Sequence, residues 1–319
     1  MAFRKPAVNK VGGKFFVLGL PACGKSYFGL TFPNSACIDS ETGLAFYENE
    51  DVEINGKKYN NIKLIDTTAN LDDLEQNLDS IIEGELEGID TLVIDSETKF
   101  YNSMDIGATE VEERKAKAKN KEVDTRAKWG RVKSINVKFQ QAKISASAKG
   151  MHVVSVAQAK EVTSEDGKRV IGYAPETHKS LPFDYDVVLR FYKEKNAKTG
   201  EIEYFAEVEK DRTGVTKDGQ KIKNCTFDIW KDYFDKRNGL KTTGANFSKD
   251  LTDSVNSVLC DSELQEELAT EIVSKMKVMD KSKAPELREL MKTLEVELKD
   301  LKFAPIKSLR AINSFFEGV

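Results

Sequence analysis

Gly19-Leu20-Pro21-Ala22-Cys23-Gly24-Lys25-Ser26, led in by Lys14-Phe15-Phe16-Val17-Leu18, is the stretch on which the fold turns. The lead-in is a short apolar run that ends at a glycine-rich turn, the mark of a buried strand. The octapeptide fits G-x-x-x-x-G-K-[ST], and a helical pattern follows it. Such a loop can wrap an anion, so that successive backbone N–H groups and the next helix N-terminus point at phosphate. Gly19, Leu20, Pro21, Ala22, Cys23, Gly24, Lys25, Ser26 and the adjoining Tyr27 are therefore candidate nucleotide contacts, with Lys25 aimed at the β- and γ-phosphates and Ser26 at Mg²⁺. An accidental glycine-rich turn is the plain alternative, and the strand before it argues against that. Cys23 reads as a small filler, or else as an exposed thiol made reactive by a helix N-terminus.

A phosphate loop needs a carboxylate at the end of a neighbouring buried strand to hold its metal. Thr91-Leu92-Val93-Ile94-Asp95 supplies Asp95, placed at the carboxyl end where open α/β sheets put ligands. Further apolar runs recur at 35–39, 61–65, 151–157, 186–192 and 203–208, with a helical pattern between two of them at Leu71, Leu74, Leu78, Ile81 and Ile82. Strands alternating with helices predict an α/β fold with a mostly parallel sheet covered on both faces. Glu165-Asp166-Gly167 and Asp218-Gly219 signal two late hairpins, the second joining Gly214–Lys217 to Gln220–Asn224. Beyond about residue 240 the pattern turns helical: 262–279, with Ser262 and Gln265 as a capping box, 285–301, and a last segment opened by Pro305. The predicted division is a nucleotide domain over 1–240 and a helical domain over 241–319.

The chain has 319 residues, 39% hydrophobic and 32% charged, which excludes a disulfide-stapled miniature and a disordered chain. No run approaches the ~20 apolar residues that span a bilayer. Met1–Lys14 is basic without a cleavable apolar core, so no signal peptide and a cytoplasmic location are expected. Cys23, Cys37, Cys225 and Cys260 are widely spaced, and with 2 histidines there is little material for zinc; they read as reduced, structural thiols. The net charge of -4 hides two blocks: residues 38–113 hold 21 acidic and 4 basic side chains, residues 114–149 hold 12 basic and 2 acidic. Such blocks mark either a partner surface or solvated helix faces.

The strand after the loop helix ends Ala36-Cys37-Ile38-Asp39-Ser40-Glu41, Val154-Ser155-Val156-Ala157-Gln158 is another strand ending in a polar residue, and Lys210-Asp211-Arg212-Thr213-Gly214 comes late. With these motifs residues 10–235 resemble the RecA-like P-loop ATPases, and are similar to phage-encoded members of the single-strand annealing or recombination group, which carry an AAA-type nucleotide-binding domain. The resemblance implies ATP as the nucleotide, Glu41 as the residue that polarises the attacking water, and Gln158 as a sensor of the γ-phosphate. It also implies that Lys210 and Arg212 act on the site of a neighbouring subunit, and so a homo-oligomer. Chemistry agrees for Glu41, because Asp95 is taken by metal and hydrolysis needs a second group to orient water. The bland alternatives are a loop cap for Glu41, a surface amide for Gln158 and solvated charges for the cationic pair.

RecA-like proteins place DNA-binding loops after the metal-aspartate strand and after the sensor strand. The first place holds Lys99–Arg131, read as charged and partly mobile, running into a helix whose Trp129, Val132, Ile135, Phe139 and Ala142 share one face. Arg126, Lys128, Arg131, Lys133 and Lys138 can then meet phosphates. The second holds a hairpin with Lys168, Arg169 and Tyr173, suited to stacking single-stranded DNA, and His178, read as a surface or DNA contact. Expected partners are single-stranded DNA and a replication or recombination protein held by the C-terminal helices, which otherwise are a packed hairpin without chemistry. The rival reading is a nucleotide-gated interaction protein such as a helicase loader. A small-molecule kinase lacks an Arg-rich lid here and leaves Glu41 unexplained.

Overall fold

The computed structural model describes residues 5–316, apart from the side chains at 259–261 and 281. The chain divides into two compact units, with the boundary between Ser248 and Lys249. In the first, all seven apolar runs are strands: β1 Lys14–Gly19, β2 Ser35–Asp39, β5 Ile62–Asp66, β6 Thr91–Asp95, β7 His152–Thr163, β9 Val187–Lys195 and β10 Ile202–Asp211. A small hairpin, β3 Val52–Ile54 and β4 Lys57–Tyr59, stands apart; β8 Val170–Pro175 folds back on β7, and β11 Lys221–Lys223 is the edge. The sheet order is β11-β10-β9-β1-β7-β6-β2-β5. From β9 to β5 every neighbouring pair is parallel, while β10 and β11 run antiparallel.

Helices cover both faces, as the alternating pattern requires. On one, α1 Lys25–Leu30 and α5 Asp228–Asp235 bury Phe28, Trp230 and Phe234 against Phe15, Val17, Val154 and Leu189. On the other, α2 Leu71–Glu83, α3 Glu97–Lys119 and α4 Thr125–Ala148 bury Leu78, Phe100, Met104, Val132 and Phe139 against Ile38, Leu92, Ile94 and Val153. Local sequence sets the ends: Asn70 accepts from the Asp72 N–H, Gly84 closes α2 at φ 79°, and Asp124 accepts from the Ala127 N–H.

Three expectations for the first unit are corrected. Lys99–Arg131 is not a mobile loop, since α3 and α4 occupy all but a short connection. Trp129 does not share the buried face of α4; it is 47% exposed with the Lys128 ammonium over its ring. In the second hairpin β11 pairs with Phe205–Glu207 of β10, and Gly214–Lys217 makes the connecting turn instead of a strand.

Helix α6, Phe247–Val278, starts two residues before the boundary; the second unit holds the rest of it with α7 Ala284–Thr293 and α8 Ile306–Phe315. Ala269, Ile272, Leu287, Met291, Leu309 and Ile312 form its core. Because α6 begins at Phe247, Ser262 lies inside it and caps nothing; the Gln265 amide donates to the Ala304 carbonyl instead, 2.6 Å away. The segment expected as one helix over 285–301 breaks after Thr293, where Glu295 is left-handed at φ 54°. Cys23, Cys37 and Cys225 are free and buried, and Cys260 falls among the side chains outside those described.

His152 opens β7 in a nest of Phe32, Phe227 and Phe234, and its Nδ1 accepts the Gly13 N–H at 3.0 Å. Burial pushes the imidazole down from 6.5 to about 4. A depressed histidine contributes stability that is complete above pH 6.5 and is lost as pH falls towards 4, where only the unfolded chain binds the proton; about 3 kcal/mol is at stake. Urea midpoints near neutral pH and near pH 4.5 measure it. The His152→Gln chain, which can still accept from Gly13, is expected to lose this share of the slope.

Candidate functional site

Register brings the chemistry to one edge of the sheet. Gly19 pairs with Gln158 across β1 and β7, and Asp39 pairs with Asp95 across β2 and β6. Gly19 must be glycine, because a Cβ there would sit 2.4 Å from the Phe191 carbonyl oxygen and 2.7 Å from the Cys23 sulfur. Gly24 caps α1 at φ 96°, a conformation other residues resist. Cys23 is the filler of the two readings: it is 2% exposed, its thiol donates to the Leu20 carbonyl at 2.8 Å, and burial pushes its pKa up. Lys25 folds back so that its ammonium donates to the same carbonyl at 2.9 Å.

The Ser26 hydroxyl donates to Asp95 Oδ2 at 2.6 Å. Burial pushes the Asp95 carboxyl up to about 6, against the Ser26 hydrogen bond that holds it down. One carboxylate beside one hydroxyl is a hard-oxygen pair that fits Mg²⁺, a metal usually held by one or two carboxylates with phosphate and water completing its shell. No group of three or more His, Cys, Asp or Glu able to hold a metal occurs among the described residues.

Glu41 and Gln158, 117 residues apart, meet here: the Gln158 amide donates to Glu41 Oε1 at 2.7 Å, and the Ser96 hydroxyl donates to the same oxygen at 2.8 Å. Lys99 Nζ stands 4.0 Å from that oxygen too. Oε2 accepts nothing among the described residues, which leaves it open to a water. Behind Glu41, the Asp39 carboxylate accepts the N–H groups of Glu41, Gly43 and Leu44 at 3.0, 3.2 and 2.7 Å. Thr98 accepts the Gln158 N–H at 3.0 Å. The reading of the sequence assigned no role to Asp39, Ser96 or Thr98. The repeated Ile-Asp-Ser-Glu-Thr at 38–42 and 94–98 was the available signal.

A cavity of about 470 Å³ opens beside the loop, lined by Gly24, Lys25 and Ser26 together with Tyr27, Tyr47 and Tyr204. The Tyr27 and Tyr47 rings meet edge to face at 5.3 Å. The volume is in the range of small-molecule sites, about 300–1,000 Å³.

Lys210 and Arg212 lie elsewhere. Lys210 pairs with Val188 near the start of β9 and the Arg212 N–H bonds the Asp186 carbonyl just before it, so along the sheet they sit about 10 Å and about 16 Å from the level of Gly19, counting ~3.3 Å per strand residue. Lys210 donates to the carbonyls of Pro182, Phe183 and Tyr185, and Arg212 to Asp186 at 3.0 Å. Between them Asp211 turns inward, accepting from Thr213, Thr216 and the Trp230 indole. In this chain alone the cationic pair does not reach the loop.

The two charge blocks meet each other. Lys128 pairs with Asp105 at 2.9 Å, Arg131 with Glu112 at 3.2 Å, and Lys138 with Glu75. Arg126 and Lys133 are exposed and form no ion pair among the described residues. Lys168 and Arg169 are exposed at the β7–β8 hairpin, while Tyr173 packs its ring 5.4 Å from the Arg190 guanidinium. His178 Nδ1 bonds the Ser180 hydroxyl at 2.7 Å.

Among the described residues no helix is long and apolar enough to cross a membrane. No curated protein matches the chain. Three solved structures show distant likeness. The RadB recombinase is 16% identical over 67% of this chain and 87% of its own, with a TM-score of 0.40. The flagellar accessory protein FlaH from Methanocaldococcus jannaschii is 13% identical over 67% and 85%, at 0.34. A KaiC-like protein from Pyrococcus horikoshii OT3 is 13% identical over 67% and 85%, at 0.37. A family model described as an AAA domain matches residues 12–219, which span the phosphate loop, Glu41, Asp95, Gln158 and the Lys210–Arg212 pair: the chain belongs to the AAA domain family.

Proposed function

We propose that this protein binds ATP with Mg²⁺ at the edge described above and hydrolyses it, as a RecA-like ATPase acting in an oligomer on single-stranded DNA during recombination or annealing. The observation that carries the hydrolytic part is the Glu41 carboxylate, held through one oxygen by Ser96 and Gln158 beside the Ser26–Asp95 pair. The loop amides and Lys25 would take the phosphates, and the tyrosines lining the cavity would take base and ribose. Ser26 and Asp95 would hold the metal, which when bound neutralises charge on the phosphate oxygens. Glu41 Oε2 would orient and deprotonate the attacking water. Gln158 bonds Glu41 and lies in register with Gly19 of the loop, which suits a residue that reports phosphate occupancy to the β7–β8 hairpin.

The DNA part rests on Arg126, Lys133, Lys168 and Arg169, fewer free cations than the sequence promised. The ion pairs at Lys128, Arg131 and Lys138 favour the second reading, a nucleotide-gated interaction protein whose C-terminal helical unit holds the partner. In either case Lys210 and Arg212 would serve a neighbouring subunit, a reading supported by their bonds to Pro182, Phe183, Tyr185 and Asp186 away from their own loop. ATP turnover measured with and without single-stranded DNA, over a series of salt concentrations, separates the readings. Stimulated turnover with salt-sensitive binding is expected; unchanged turnover without binding leaves the ATPase and removes the DNA.

A further inference from the structure

β2 and β6 are adjacent, parallel and in register, and each leads out through the same five residues, Ile-Asp-Ser-Glu-Thr, at 38–42 and 94–98. The two copies clasp each other: the Ser40 N–H donates to the Asp95 carbonyl at 2.7 Å, the Ser96 N–H to the Ser40 hydroxyl at 2.7 Å, and that hydroxyl to the Ser96 carbonyl at 3.1 Å. Identical residues then part ways. Asp95 faces Ser26, whereas Asp39, 1% exposed, turns into its own loop and accepts three backbone N–H groups. Glu41 stays at the site edge, whereas Glu97 is buried against Lys143.

From this contrast we infer that Asp39 is a positioning residue for hydrolysis, which shapes the Glu41–Leu44 turn so that the Glu41 carboxylate is aimed at the attacking water. The inference rests on the hydrolytic reading of Glu41. An aspartate suits the task because one carboxylate oxygen takes the N–H groups of Glu41 and Gly43 while the other takes that of Leu44. The amide of asparagine offers one acceptor and turns an NH₂ on the N–H groups left over. That turn carries Thr42 at φ 59°, a conformation it would not hold unaided. Misaiming a catalytic group by about 1 Å costs on the order of 10²-fold in rate, without touching the residues that hold the phosphates.

The experiment is a double-mutant cycle on the full chain with Asp39→Asn and Glu41→Gln. It reads kcat by phosphate release and nucleotide affinity by a fluorescent ATP analogue. Asp39→Asn is expected to lower kcat by about tenfold or more, with affinity held within about threefold, and to cost nothing further in the Glu41→Gln background, because both variants disable one group. Additive losses in the double variant would overturn the inference, as would a kcat left at the parent level. So would loss of folding or of nucleotide binding in Asp39→Asn, which would make Asp39 a structural residue of β2. If Glu41→Gln itself turns over normally, the hydrolytic reading falls and this inference with it. Normal loss in Glu41→Gln beside a normal rate in Asp39→Asn removes only Asp39.

Discussion

Replacing Glu41 by glutamine is expected to lower ATP turnover by about 10²–10⁴-fold, the range spanned by a positioned general base. Nucleotide affinity should stay within about twofold, since the group removed acts only as the bond to the γ-phosphate breaks. The substitution suits the site: glutamine matches the shape, and its oxygen can still accept the Ser96 hydroxyl and the Gln158 amide that now meet at Oε1. What disappears is the second carboxylate oxygen, the one left open to water. A single-turnover measurement with ATP loaded before Mg²⁺ isolates this step from release. Equal rates in parent and variant would show that water is activated elsewhere, and the hydrolytic half of the proposed function would be abandoned. Gln158→Ala is a useful companion. It frees Oε1 from one of its two donors without removing the base, so its loss should be smaller than that of Glu41→Gln.

Much of this was legible because the relevant signals are local. The phosphate loop with the strand before it, and each strand that leads out through Ile-Asp-Ser-Glu-Thr, are contiguous stretches, and each apolar run in the first 210 residues is a strand. Glu41 and Gln158 were marked one at a time; that they share a hydrogen bond follows from sheet order, which places β7 between β1 and β6. Charge was the poor guide. The acidic and basic blocks suggested a polarised surface, yet Glu75, Asp105 and Glu112 of the first are paired with Lys138, Lys128 and Arg131 of the second across α2, α3 and α4. Helix packing, which decides whether a lysine meets solvent or a carboxylate, leaves no trace in a count of charges. Asp39 escaped notice for a related reason: its partners are backbone amides, which every residue has.

Lys143 belongs to the basic block and carries the largest expected cost to stability. Its side chain is 2% exposed and its ammonium is paired with Glu97, itself 6% exposed. The same Glu97 oxygen accepts the Ser155 hydroxyl at 2.6 Å, and Ser155 in turn accepts the Tyr185 hydroxyl at 2.5 Å. Lys143→Met fills the volume but leaves a carboxylate in the core without its counter-charge, which costs about 3–5 kcal/mol. Domains have only about 5–15 kcal/mol in total, so a shift of that size is plain in a urea titration. Adding Glu97→Gln should restore about 2 kcal/mol or more, because the charge is gone while the amide oxygen still accepts from Ser155. The pair joins the first turn of α3 to α4 and β7, and that turn follows Asp95 and Ser96 directly and carries Thr98, which holds the Gln158 N–H. A folded Glu97→Gln/Lys143→Met chain should therefore keep most of its turnover. If it folds and yet turns over as slowly as Glu41→Gln, then hydrolysis depends on the Glu97–Lys143 pair as well as on Glu41.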